Sequence, residues 1–95
     1  GPLWPAALFG RGEAARMAKS YDQACAYYER IYVMYGNHKK WCAKAYLARA
    51  ECLVRLQQYN KAAETLEAML AVGDFKDFPE AAEAQKKLND VKRRM

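Results

Sequence analysis

Lys39–Gln57, KKWCAKAYLARAECLVRLQ, carries two apolar stripes within a single helical period. One runs Cys42, Tyr46, Ala50 or Arg49, Leu53 and Leu56/Gln57; the other runs Ala43, Leu47, Ala50 and Val54. Steps of three and four residues place each stripe along one face of a helix. A helix at the edge of a globule needs one apolar face, so two faces predict neighbours on both sides. This stretch is expected to be the central helix of a short all-α stack.

Just before it, Tyr21, Ala24, Cys25, Tyr28, Ile31, Tyr32 and Tyr35 fall at offsets 0, 3, 4, 7, 10, 11 and 14. Ser20 and Gln23 have the spacing of a capping box at the start of that helix. Gly36 is expected just past its end, and Asn37 as the cap of the central helix. Beyond Gln57, Tyr59, Ala62, Ala63, Leu66, Met69 and Leu70 fall at offsets 0, 3, 4, 7, 10 and 11, so the second helix's pattern returns 38 residues later. Recurrence of one helix pair at such a period is the signature of a helical solenoid.

The flanks are simpler. Leu3–Ala18 is predicted helical, with Pro5 in the first turn. Gly10 and Gly12 each weaken it by roughly 1 kcal/mol relative to Ala unless a neighbour approaches closely. Val72-Gly73-Asp74 ends the fourth helix, and Phe75 and Phe78 are expected to tuck beneath it. Asp77 and Glu80 have capping-box spacing around Pro79. The last helix, Pro79–Arg94, buries Ala81, Ala84, Leu88 and Val91 and wets its other face, as a terminal capping helix must.

Bulk properties bound the function. The 95 residues suffice for one small domain, and 53% hydrophobic content excludes a disordered chain. No apolar run approaches the ~20 residues of a membrane span, so no membrane insertion is expected. The opening GPLWPAALFG lacks the basic region and apolar core of a signal peptide. Residues 1–3 read as the remnant of a cleaved tag, leaving one domain over 4–95. Of the net charge of +5, the excess lies early: seven basic and three acidic residues up to Leu47, nine and eight after it. The cations Lys86, Lys87, Lys92, Arg93 and Arg94 suit a helix C-terminus. Cys25, Cys42 and Cys52 are odd in number and lie in or beside apolar stripes, which predicts free buried thiols. Free thiols tilt the compartment towards the cytoplasm, with the cell envelope as the other choice.

The repeat resembles the tetratricopeptide repeat, a unit of about 34 residues built from a helix A and a helix B. In the second unit Tyr46, Arg49, Ala50 and Leu53 match the helix A signature, Tyr59 the aromatic of the turn, and Ala62 and Leu66 the helix B positions. In the first, Leu8, Arg11, Gly12 and Ala15 stand in helix A, and Tyr21, Ala24 and Tyr28 in the turn and helix B. Arg11 and Arg49 depart from the usual apolar residue, Ala15 from a large aromatic, and the closing proline is missing. Longer units of this kind look like those of bacterial cell-envelope and cytoplasmic repeat proteins. The resemblance implies two helix pairs, about 5–36 and 38–73, and a capping helix at about 78–94.

The resemblance also implies a concave face made by the A helices. By matching positions its residues are Phe9, Glu13, Arg16 and Met17, then Lys44, Leu47, Glu51, Val54 and Arg55, and on the last helix Lys86, Asp90 and Arg93. Leu47 and Val54 are expected either to wait there for a partner or to be buried by the terminal helices. The family's chaperone-binding clamp needs Lys and Asn where this chain has Phe9, Glu13 and Ala48, so a different ligand is implied.

Catalytic chemistry finds few residues. Ser20, Thr65 and His38 are each the sole member of their type. Ser20 is better explained as a cap, and His38 with Cys42 one turn on is a weak nucleophile pair at a solvated helix start. No Cys and His have zinc-ligand spacing, and Gly10-Arg11-Gly12 follows no strand, so no cofactor or metal is expected. Tyr27, Tyr32, Tyr35 and Trp41 beside Lys39, Lys40 and Lys44 admit stacking with single-stranded nucleic acid, though packing explains these rings more simply. The expectation is a non-enzymatic interaction module or scaffold that binds a peptide or helix of another protein on its concave face. The alternatives are single-stranded nucleic-acid binding, less expected, and self-assembly of the repeat.

Overall fold

The computed structural model describes Gly1 and residues 3–95; Pro2, part of the expected tag remnant, lies outside the described residues. Five α-helices follow in order: α1 Pro5–Met17, α2 Tyr21–Met34, α3 Lys39–Arg55, α4 Tyr59–Leu70 and α5 Pro79–Arg93. One turn of 3-10 helix, Gly73–Phe75, lies between α4 and α5. Each helix packs on the next, and α3 also meets α1 and α5. The chain is thus an all-α helical repeat: two antiparallel helix pairs and a closing helix.

α3 is the middle of the stack, and its burial shows why. Cys42, Ala43, Ala45, Leu47, Ala48, Ala50, Cys52 and Leu53 are all buried. Side-chain contacts sort its two sides. Cys42 and Arg49 reach α2 and α4, while Lys44 and Glu51 reach α5 and α1. Alanines fill much of the centre because small side chains let helices approach closely. Tyr28, Leu8, Ile31, Leu66 and Met69 supply the bulk. Burying each large aliphatic side chain stabilises the fold by about 1.5–3 kcal/mol.

The period is repeated in backbone detail. α1 and α3 both end in a Schellman turn. Ser20 N–H donates to Ala15 O at 2.8 Å and Lys19 N–H to Arg16 O at 2.9 Å; 38 residues on, Gln58 N–H donates to Leu53 O and Gln57 N–H to Val54 O, both at 2.9 Å. Both turns need a left-handed residue, and it is Lys19 at φ 63° and Gln57 at φ 60° rather than glycine. The following residues match as well: Ser20 at φ −87°, ψ 69° and Gln58 at φ −93°, ψ 69°. The extra residues of the longer unit go to both helices: α3 starts four residues earlier than α1 in register, and α2 runs two residues beyond α4.

Several expected caps are corrected. Ser20 is the N-cap of α2, but its hydroxyl makes no capping bond. Its ψ of 69° follows from the Schellman turn and departs from the extended backbone that aims a capping side chain at the helix. His38, not Asn37, is the N-cap of α3, and Phe78, not Asp77, that of α5; neither makes a side-chain cap. Pro79 does take the first turn of α5. Gly36 follows α2 without a positive φ. Phe75 is buried as expected, Phe78 only partly. No described helix is long and apolar enough to cross a membrane.

Candidate functional site

The ends of α1 and α3 and the middle of α5 enclose an open groove of about 400 Å³. α1 contributes Arg16 and Met17, α3 contributes Glu51, Val54 and Arg55, and Lys87 comes from α5, with Tyr21 closing one end. Repetition places these groups: Arg16 and Val54 are related by the 38-residue register, as are Met17 and Arg55. Five of the expected concave residues therefore meet in one place.

Glu51 is the electrostatic centre. Its Oε1 accepts from Arg16 Nη1 at 3.1 Å, and its Oε2 lies 3.2 Å from Lys87 Nζ. One carboxylate thus links α1, α3 and α5. Burial alone would lower the pKa of Arg16, but the carboxylates of Glu51 and Glu13 and the Tyr28 hydroxyl outweigh it and raise it. At the groove's end the Arg55 guanidinium sits 5.1 Å from the ring centroid of Tyr21. A parallel ion pair, Lys44 Nζ to Glu80 Oε2 at 3.3 Å, joins α3 to α5 further along.

The other expected residues are placed differently. Phe9 is half-buried, its ring 5.4 Å from that of Tyr28 and 5.6 Å from that of Trp41, so it serves the packing of α1. Glu13 accepts the Tyr28 hydroxyl and lies 3.8 Å from Arg16. Leu47 is only 7% exposed and is unavailable to a partner. It lies one turn from Lys44 and from Glu51, both tied to α5, while Val54 of the same stripe stays half-buried in the groove. Lys86, Asp90 and Arg93 stand in solvent, Asp90 and Arg93 paired at 2.6 Å. Sequence reasoning chose Lys86 and missed Lys87. The signal was present: Lys87 falls three residues after buried Ala84 and four before buried Val91, beside the dry stripe. Tyr21 was read only as a core position, and its edge at the groove has no signal in the helical period.

Several other aromatics pack on one another. Tyr32 and Tyr46 stack with centroids 3.7 Å apart, and Phe75 meets Tyr46 at 6.0 Å. Desolvation pushes the Tyr32 hydroxyl up to about 12. Lys39 is paired with Asp74 at 2.8 Å, and this contact holds the Asp74 carboxyl below its usual range. Cys25, Cys42 and Cys52 are free and buried. Cys42 donates to Tyr35 O at 3.1 Å, and burial raises its thiol. Among the described residues no group of His, Cys, Asp and Glu could hold a metal ion. No family model matches the chain, nor does any curated protein or solved structure.

Proposed function

We propose that this chain is a non-enzymatic protein-interaction module of the tetratricopeptide-repeat type, binding a peptide or helix of another protein in the groove between α1, α3 and α5. The observation that carries it is the register. Arg16 and Met17, then Val54 and Arg55, are the same two positions of successive units, and both pairs line one hollow. A repeat that presents equivalent positions of successive units along a concave surface is suited to an extended segment of a partner. Met17 supports the reading: at 84% exposure it is the most exposed large apolar side chain among the described residues, and it lines this hollow.

A peptide-display selection against the chain tests it. The selected peptides should bind saturably and should lose binding to a Met17→Asp/Val54→Arg double variant whose circular dichroism is unchanged. Peptides that bind the double variant as tightly as the parent would remove the groove from consideration.

A further inference from the structure

The charges of the groove are unequal in their commitments. Glu51 has both oxygens engaged, by Arg16 and by Lys87. Arg16 has a second carboxylate, Glu13, at 3.8 Å. Arg55 differs: among the described residues no carboxylate lies within ion-pair distance of it, and it is exposed over the face of Tyr21. A guanidinium laid on a ring is oriented by cation–π attraction while its in-plane N–H fork stays free for a carboxylate. The groove thus holds three cations against one carboxylate, and that carboxylate is already satisfied. Beside the free cation lies an apolar ledge, Met17 and half-buried Val54.

We propose that the groove's occupant is an acidic peptide segment of a partner protein. One Asp or Glu side chain pairs with the Arg55 fork, a second turns towards Lys87, and an apolar side chain between them lies on Met17 and Val54. This rests on the groove reading above and adds the chemistry of the ligand. Charge complementarity is the ground for it: a basic or neutral segment would leave Arg55 unpaired against the ledge, and a basic one would also face Lys87 and Arg16.

The chain supplies its own control. Arg94 lies 5.9 Å from the ring centroid of Tyr59, a second arginine over the tyrosine that opens a B helix, and it lines a different hollow from that of Arg55. Fluorescence anisotropy with three labelled decapeptides, alternating Leu with Glu, with Ser or with Lys, gives the test. The Glu–Leu probe should bind about tenfold or more tighter than the Ser–Leu probe, and the Lys–Leu probe weakest. Arg55→Glu should weaken the Glu–Leu probe about tenfold, while Arg94→Glu, the same change in net charge, leaves it within about twofold. Circular dichroism of both variants should match the parent. Equal binding of the Ser–Leu probe overturns the acidic specificity and leaves the groove intact as a peptide site. Equal loss in Arg94→Glu overturns it too, because net charge alone would then explain the binding. Failure of all three probes overturns it as well, and the groove itself then stands or falls by the selected peptides and the Met17→Asp/Val54→Arg variant.

Discussion

Gly12 and Tyr28 occupy one space between α1 and α2. A Cβ built on Gly12 would lie 2.8 Å from Cδ1 of the Tyr28 ring, well inside contact distance, and Tyr28 is fully buried. The large residue of α2 therefore dictates the small one of α1. Two residues away, Gly10 is exposed and would present its Cβ to open space. The same substitution thus has opposite signs. Gly12→Ala should destabilise by about 1–3 kcal/mol through overpacking, while Gly10→Ala should stabilise by about 0.5–1 kcal/mol through helix propensity. Urea unfolding midpoints of the two variants check both, and a stable Gly12→Ala protein would contradict the close approach.

Arg49 stands between buried Ala48 and Ala50 on α3, and its contacts explain how. Nη1 donates to Thr65 Oγ1 at 2.7 Å, Nη2 lies 3.7 Å from Glu29, and Nε meets no acceptor among the described residues. The Thr65 hydroxyl in turn donates to Lys61 O at 2.8 Å. Thr65→Val removes the acceptor and leaves a part-buried guanidinium short of partners, at about 1–2 kcal/mol. In an Arg49→Met background the same change should cost less, because the orphaned donor has gone. A double-mutant cycle by chemical unfolding measures the difference; additive effects would mean that the contact contributes nothing.

Alkaline pH acts through the buried tyrosines. Desolvation raises the Tyr32 hydroxyl to about 12, and burial together with Glu13 raises that of Tyr28. An unfolded tyrosine loses its proton near 10, so between that value and about 12 the unfolded chain binds fewer protons than the folded one. The tyrosine contribution is then full below pH ~10 and falls as pH climbs through the folded values. Unfolding curves collected across that range should show the decline, and Tyr32→Phe should flatten it. An unaltered slope in that variant would assign the loss to other groups.

What the sequence made legible is what repeats. Offsets of three and four marked Ala24, Tyr28 and Ile31 in α2 and Ala62, Leu66 and Met69 in α4, and all six are buried. The two-sided α3 was legible because a helix with neighbours on both flanks cannot hide its second stripe from the pattern. Caps were only partly legible. Ser20 is the N-cap of α2, but the chain reaches it from a Schellman turn whose left-handed residue, Lys19, carries no compositional mark, and its hydroxyl makes no capping bond. Asn37 and Asp77 each missed the N-cap by one residue, which is His38 for α3 and Phe78 for α5. The site was half legible. The positions matched by resemblance included Arg16, Met17, Glu51, Val54 and Arg55, which line one hollow, but whether a stripe residue is buried depends on the next helix, and a sequence of one chain does not place that helix. Lys87 turned on where α5 lies against α3, to which it is tied through Glu51.

Leu47 and Met17 make the sharpest contrast for mutagenesis, since the sequence pattern put both on the same face. Leu47 is 7% exposed and Met17 84% exposed. Leu47→Ala removes a packed core side chain of α3 and should cost about 2–5 kcal/mol, whereas Met17→Ala should stay within about 0.5 kcal/mol. The mechanism differs from loss of a ligand contact, so the deficit in Leu47→Ala should appear in thermal unfolding of the isolated chain with no partner present. Glu51→Gln gives the intermediate case: it weakens the links to Arg16 and Lys87, costs about 1 kcal/mol, and loses that cost as salt screens the parent's ion pairs. It also frees two cations in the groove, so the Glu–Leu probe should bind Glu51→Gln more tightly than the parent even though the protein is less stable. Stability and affinity moving together would mean that Glu51 only props the helices and sets no charge in the groove.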